Sequence, residues 1–544
     1  MEPIKPVGPI RPVEPIKPAE AGAPNPAEPM APTGPEGPTG SVAPRKPAEP
    51  SATRVCATRQ GLVRGRAVSE AVTAFLGIPY AAPPFGPLRF RAPAPAASWE
   101  GVRDAFEHGP SAPRAPYAPP MDALIPDADG GQGEDCLNLS VWTPHPGPGG
   151  GLPVMVWLHG GAFSNGSGVG PAYDGTAFAR DGVVCVNVNY RLGTDGFLRL
   201  PGRPDNRGLL DQIAALEWVR DNIEGFGGDP DRVTVFGESA GAMSIGVLLA
   251  LPRARGLFRR AILQSGAAHH FLRPATADLI TAHFAAELGI EATGTALTEA
   301  FTRVPFARLL PAQAGLRAAV GARPDPRLWG EAVLNMMPFE PVLDALPLPS
   351  ADCGVDLLVG SNREEYRLFL VPTERLRLLG EGKLRGTAEA YGLDPDKALP
   401  VYAGGRPGAA PGELFDAMAT DWFYRIPAIR VAESVPGTRV YEFAWRSPRY
   451  DGELGACHGA ELGFVFDNLR DPVYAPMLGD RPPQDLADAM HGAWAAFAAT
   501  GDPGWDAYDR TTRTTMVFGG SPRTPTELVR DPRPAERALW EGVR

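Results

Sequence analysis

The segment Val233-Thr-Val-Phe-Gly237-Glu238-Ser239-Ala240-Gly241 joins a short β-rich apolar run to an apolar helical run through Gly-x-Ser-x-Gly. A serine on such a tight strand-to-helix turn is pushed out above the sheet. Glycines are needed at 237 and 241 because side chains there would strike the neighbouring strand or helix. The start of the helix adds a positive field where negative charge develops during nucleophilic attack. Gly-x-Ser-x-Gly alone is a weak signal and also describes an inert Gly-rich turn. It occurs once in this chain and sits at the strand–helix junction the chemistry requires, so Ser239 is the candidate nucleophile. A second segment, Trp157-Leu-His-Gly-Gly161-Ala162-Phe163, also follows an apolar run. Consecutive glycines let backbone N–H groups face a cavity, as an oxyanion hole demands, although an ordinary turn is the bland alternative. His159 reads as a structural hydrogen-bonding residue.

A nucleophilic serine needs a base, and in the order Ser…acid…His the base comes last. Of the eight histidines, only His458 and His491 lie in the C-terminal quarter. His491 falls within a helical pattern with Leu486, Met490, Trp494 and Phe497, and reads as a helix residue. His458 lies in Gly455-Ala-Cys-His458-Gly-Ala-Glu461, a small-residue loop after the Val440–Trp445 strand, and is the candidate base. Its neighbour Cys457 reads as packing. Such a base would make turnover fall as pH drops through about 6–7. The acid that orients it is sought in Val359-Gly-Ser-Asn-Arg-Glu364-Glu365-Tyr366, again just after a strand. Spacing leaves Glu364 and Glu365 equivalent.

These residues must be carried by a scaffold. Apolar strand-like runs at 153–158, 183–189, 233–236, 261–264, 357–360 and 440–443 alternate with helical patterns such as 209–223 and 240–251. That alternation predicts a mostly parallel sheet with helices on both faces. Residues 270–350 and 370–435 are helical and Pro-interrupted, and predict a cap over the carboxyl edge of the sheet, where open α/β sheets bind ligands. Residues 1–52 differ: fifteen prolines fall in the first 50 positions, and EPIKP occurs at 2–6 and 14–18. That composition predicts a disordered Pro-rich tail, with 53–544 as the folded domain. Its bland reading is a solvated linker; the functional one is a PxxP ligand for an unidentified partner.

The chain has 544 residues, a net charge of −11 and 44% hydrophobic residues. An acidic chain with no basic cluster makes a poor partner for nucleic acid or an anionic membrane. No run of 18 apolar residues exists, so no membrane span is expected. The N-terminus has no apolar signal region, and Cys56, Cys136, Cys185, Cys353 and Cys457 are sparse and odd in number. Both features favour a cytoplasmic location. No His/Cys/Asp cluster has ligand spacing, so no metal or organic cofactor is implied.

Several further motifs stand in order along the chain. They are Phe75-Leu-Gly-Ile-Pro-Tyr-Ala81 with Arg89-Phe90, Glu134-Asp-Cys-Leu-Asn-Leu139, Asn189-Tyr-Arg-Leu-Gly193 and Trp494-Ala-Ala-Phe-Ala-Ala-Thr-Gly-Asp-Pro503. With the serine segment and its flank from Asn206, they resemble the type B carboxylesterase family, which includes bacterial esterases and the cholinesterases. The resemblance runs from about Val55 to about Phe518. It implies the α/β-hydrolase fold with helical cap insertions. It also implies Ser239 as nucleophile, His458 as base, Glu365 as acid, and the N–H groups of Gly161, Ala162 and Ala240 as oxyanion donors.

The resemblance implies further that Arg89 and Glu134 form a buried salt bridge. Phe163, His269, Phe271, Phe369 and Phe423 are pocket candidates by motif neighbourhood. The expected activity is hydrolysis of small to medium apolar or aryl carboxylic esters. Amide or carbamate hydrolysis and acyl transfer are alternatives on the same residues, and a non-catalytic relative is the reading from a different class. Two departures stand out. Tyr366 replaces the glycine usual after the acid, and alanine stands near 112 where relatives have the cysteine partner of Cys136. The 112–136 loop has no Trp, so a cation-binding aromatic platform is not expected.

Overall fold

A computed structural model describes residues 52–125, 131–521 and 523–544. The Pro-rich segment to residue 51 lies outside the described residues. Thirteen strands form one sheet. They are β1 (Thr53–Thr58), β2 (Gly61–Ala67), β3 (Thr73–Pro79), β4 (Val102–Asp104), β5 (Asn138–Thr143), β6 (Leu152–Leu158) and β7 (Val184–Val188), then β8 (Gly228–Glu238), β9 (Arg260–Gln264), β10 (Asp356–Asn362), β11 (Arg439–Phe443), β12 (Thr514–Phe518) and β13 (Thr526–Arg530). Their order is β1-β2-β3-β5-β7-β6-β8-β9-β10-β11-β12-β13, with β4 against β2. From β7 to β12 every pairing is parallel, while the flanks are antiparallel except for the parallel β2–β4 pair.

The central strands are apolar throughout because helices cover both faces. Side chains alternate between the two cores with period two. Val154, Val156 and Leu158 of β6 join Leu209, Ile213 and Leu216 of the helix Arg207–Asn222. Met155 and Trp157 join Met490, Trp494 and Phe497 of the helix Gln484–Thr500 on the other face. This places His491 within that packed helix, where it is 3% exposed.

The chain runs from β6 to β7 on one side and then returns to β8 on the other. That reversal is a topological switch point, where the loops leaving adjacent strands diverge and open a crevice. The register keeps the carboxyl ends level: Leu158 lies opposite Gly237, Gly237 opposite Leu263, Gln264 opposite Gly360, and Asn362 opposite Phe443. The loops after β6, β8, β9, β10 and β11 therefore emerge on one edge. The helices of 274–322 and 381–434 insert between these strands, as the Pro-interrupted pattern predicted.

One expected pairing is overturned. Arg89 does not meet Glu134, which is exposed. The Arg89 guanidinium instead pairs with Asp195, Nε to Oδ1 at 2.8 Å, and donates to the Val304 carbonyl at 2.8 Å. The short helix Gly193–Phe197 brings the Asp195 carboxylate to the buried arginine, so no second acid is required. The Asn189–Gly193 motif has its own support: buried Arg191 forms a two-bond pair with Asp211 at 2.8 and 2.7 Å. Removing either partner of such a pair costs about 3–5 kcal/mol. All five cysteines are free, Cys136 included. Among the described residues no helix is long and apolar enough to cross a membrane.

Candidate active site

Ser239 follows β8 and caps the helix Ala240–Leu248, with φ 54° and ψ −124°. A non-glycine residue held there carries roughly 1–3 kcal/mol of backbone strain, sustained by the surrounding packing. The turn is fixed by the Ser239 N–H donating to the Gln264 carbonyl at 2.9 Å, and by the Met243 N–H donating to the Ser239 carbonyl at 2.8 Å. Gly241 permits the tight approach: a Cβ there would lie 1.9 Å from the Leu158 carbonyl oxygen. This is the clash the sequence pattern predicted.

Beside it, the loop after β6 carries Gly161 at φ 115° and Ala162 at φ 54°. A Cβ on Gly161 would lie 2.2 Å from the Asn165 carbonyl oxygen, so the bend requires glycine. Its carbonyl accepts from the N–H groups of Ser164 and Asn165 at 3.1 and 2.8 Å, which locks the loop. Ala240 opens its helix, where first-turn N–H groups have no intrahelical acceptor. Gly161, Ala162 and Ala240 thus sit on the two loops that flank the switch point. His159 is structural: it stacks on Tyr190 at 4.3 Å, its Nδ1–H donates to the Gly160 carbonyl, and burial pushes its pKa down to about 3.

His458 lies in the loop after β11, 6% exposed. Its Nδ1–H donates to Glu365 Oε2 at 2.7 Å. The other Glu365 oxygen accepts from the Asn362 N–H at 2.8 Å, and the Glu365 carbonyl from the His458 N–H at 3.2 Å. Glu365 is fully buried. Glu364 points away: it accepts from the Ala456 N–H at 2.9 Å and pairs with Arg367 at 3.0 Å and with Arg446. Of the acidic pair, Glu365 is the one that bonds His458.

His458 Nε2 lies 3.0 Å from Glu238 Oε1. In this arrangement its partner is the residue before Ser239, not the serine hydroxyl. Glu238 Oε1 has no hydrogen-bond partner, so the approach is an ion pair and not an aligned hydrogen bond, and a carboxylate beside each ring nitrogen favours the imidazolium. Burial alone would lower the His458 pKa, but Glu238 and Glu365 together raise it well above the ordinary 6.5.

Sequence reasoning missed Glu238 and Glu461. Glu461 is fully buried and accepts from Gln264 Nε2 at 3.1 Å and Asn362 Nδ2 at 2.6 Å. Burial, then Glu238 and Glu365, push its pKa up to about 8. The available signal was proximity: Glu238 adjoins Ser239, and Glu461 follows His458 by three positions.

Of the pocket candidates, Phe369 lies 5.6 Å from the His458 ring. Phe423 stacks on His270 at 5.2 Å and touches Tyr366 at 5.1 Å. Phe271 and His269 line a separate cavity with Trp422 and Arg544. Phe163 is buried against Phe197 at 4.9 Å. Tyr424, not anticipated, lies 4.8 Å from His458. Among the described residues no group of three His, Cys, Asp or Glu side chains is placed to hold a metal.

A strained serine elbow at the switch point of a mostly parallel sheet, facing a Gly-rich loop and a His–Glu pair, defines an α/β-hydrolase. A profile of the Carboxylesterase family matches residues 52–387. The para-nitrobenzyl esterase of Bacillus subtilis (strain 168) is 37% identical over 499 residues, 86% of this chain and 94% of that protein. The phenmedipham hydrolase of Pseudarthrobacter oxydans is 36% identical over 81% of this chain and 89% of that protein. The crystal structure of the Geobacillus stearothermophilus carboxylesterase EST55 superposes with a TM-score of 0.75 at 35% identity, covering 89% of this chain and 99% of that one. The chain belongs to the carboxylesterase family, and the enzyme is a carboxylesterase.

Proposed function

We propose that the enzyme hydrolyses small to medium apolar or aryl esters through Ser239, His458 and Glu365, by way of an acyl-enzyme. The observation that carries this reading is the 2.7 Å bond from His458 to Glu365, with the opposite ring nitrogen directed at the Glu238–Ser239 turn. The imidazolium is held at Glu238. Loss of its proton frees Nε2 to turn to Ser239 Oγ, take the hydroxyl proton and drive attack on the ester carbonyl. The tetrahedral oxyanion then lies among the N–H groups of Gly161, Ala162 and Ala240, each worth about 3 kcal/mol in the transition state. His458 returns the proton to the leaving alcohol, and a water repeats the sequence on the acyl-enzyme. Glu365 keeps the tautomer and stabilises the imidazolium.

The raised His458 pKa sets a sign for the pH profile. A base must be unprotonated, so kcat/KM should rise with pH through a limb above 6.5, the ordinary histidine value. The direct test is a panel of 4-nitrophenyl esters of increasing acyl length, with Ser239→Ala as the comparison. Turnover by the parent that disappears in the variant is expected. Equal turnover by both would reject the assignment.

A further inference from the structure

Several buried arginines of this enzyme are neutralised by carboxylates or saturated by carbonyls. Arg191 has Asp211, Arg425 has Asp421, and Arg367 has Asp416. Arg207 donates to the carbonyls of Asp195, Pro204, Thr194 and Leu198. Arg544, half-buried, differs from these. Its guanidinium lies 3.8 Å over the Trp422 ring, and its buried Nε has no hydrogen-bond partner. Nη2 reaches only the His269 carbonyl, at 3.5 Å. Among the described residues no carboxylate lies within ion-pair distance of it. Burial lowers its pKa to about 10, which leaves it charged at neutral pH. Its backbone is anchored, the carbonyl accepting from Arg430 Nε at 2.7 Å.

This guanidinium faces a cavity of about 310 Å³. The acids nearby are already committed. Glu331 accepts from the Arg273 N–H at 2.6 Å and the Thr276 hydroxyl at 2.5 Å. Glu340 is buried, bonded to Asn335 at 3.1 and 3.0 Å, and pushed up to about 8 by burial, so it is largely neutral at pH 7. His269 and His270 are driven down by burial and by Arg544; neither Nδ1 has a hydrogen-bond partner, and that of His270 lies 3.9 Å from Glu340 Oε1. Arg273 adds a second cation at the rim. The cavity therefore presents two arginines against the one carboxylate of Glu331, with the Arg544 Nε unpartnered, beside the His269 imidazole and the apolar surfaces of Phe271 and Leu334. That set suits a carboxylate at the end of a hydrocarbon arm, because a free guanidinium edge takes a carboxylate by two parallel bonds.

The cavity is within reach of the nucleophile. A Cβ on Gly266 would lie 2.5 Å from the Ser239 carbonyl oxygen, and His269 follows three residues later, at most about 11 Å along the chain. The second connection runs from Trp422 in the cavity to Tyr424, 4.8 Å from His458. Between them Tyr366, in the place of the family's glycine, touches Phe369 and Phe423 and feels the charge of both Arg317 and Arg544. The leaving group must face His458, and the route from Ser239 through Gly266 leaves the cavity open to the acyl arm. Closer in, the carboxylates of Glu238 and Glu365 make the site hostile to a second anion.

We propose that the cavity under Trp422 and Arg544 binds a terminal carboxylate on the acyl arm of the substrate, so that acid-terminated esters are a preferred class. This rests on the ester-hydrolase reading above. The test compares mono-4-nitrophenyl adipate with 4-nitrophenyl hexanoate, equal in length and different only in carboxylate against methyl. Arg544→Gln should lower the adipate-to-hexanoate ratio of kcat/KM by about 10-fold or more, mainly through KM. In the unaltered enzyme the same ratio should fall severalfold as salt rises from about 20 mM to about 0.5 M. This second measurement decides the matter if the variant does not fold. A ratio indifferent to salt and, where the variant folds, to Arg544→Gln overturns the proposal while hexanoate turnover leaves the hydrolase reading standing. Failure to hydrolyse either ester removes both.

Discussion

Two walls of this enzyme meet at His458 and are charged in opposite senses. On the sheet edge, Glu238 and Glu365 flank one imidazole and raise its pKa, and burial together with the same two carboxylates raises that of Glu461. On the helical side, beyond Tyr424 and Trp422, Arg544 stacks on Trp422 with its Nε unpartnered, and among the described residues no carboxylate pairs with it directly. The walls also differ in construction. The sheet edge is shaped by backbone: level strand ends, a strained serine and glycines at sub-van der Waals approach. The helical wall is shaped by side-chain packing, with Tyr391 and Trp422 stacked at 4.4 Å and Tyr366 wedged among Phe369, Phe415 and Phe423. Chemistry that must be exact to a fraction of an ångström sits on the rigid wall, while the wall that meets the rest of the substrate is assembled from side chains.

Single substitutions act on the two walls with different strengths. Removing the imidazole is the harshest: His458→Ala should reduce kcat by about 10⁴-fold or more with the fold retained, as steady-state kinetics and circular dichroism would record. Next comes the acid. Glu365→Gln should lower kcat by about 10⁴-fold through loss of tautomer control. Glu364→Gln should instead lower the melting temperature, since that side chain serves Arg367 and Arg446. The reverse ranking would refute the assignment of Glu365. Gly241→Ala forces a Cβ against the Leu158 carbonyl and should cost about 3 kcal/mol in chemical denaturation, a test of the rigid wall itself. The mildest change is Glu238→Gln. It removes one negative neighbour of His458, so the acid limb of kcat/KM should move to lower pH; a limb that stays in place would show that Glu238 does not hold the imidazolium.

Much of the rigid wall was legible in the sequence because its constraints are local. The strand–Gly-x-Ser-x-Gly–helix junction, the Gly160-Gly161 turn and the period-two alternation of β6 each follow from residues within a few positions of one another. Where a choice depended on residues far apart, the chain alone left it open. Glu364 and Glu365 are indistinguishable until β10 and the 455–461 loop are placed side by side. The pairing of Arg89 with Asp195 in place of Glu134 depends on a short helix 106 positions away. Arg544 carries no motif at all; its meaning comes from Trp422 and His269, elements that only the fold brings together.

The central claim is that Ser239 is the group that becomes acylated. Treating the enzyme with a fluorophosphonate and mapping the adduct by peptide mass spectrometry tests this directly. One phosphonyl group on the peptide containing Ser239, with its rate of formation following the same pH limb as ester turnover, is the predicted result. An adduct on another residue, or full inactivation with residue 239 unmodified, would contradict the account.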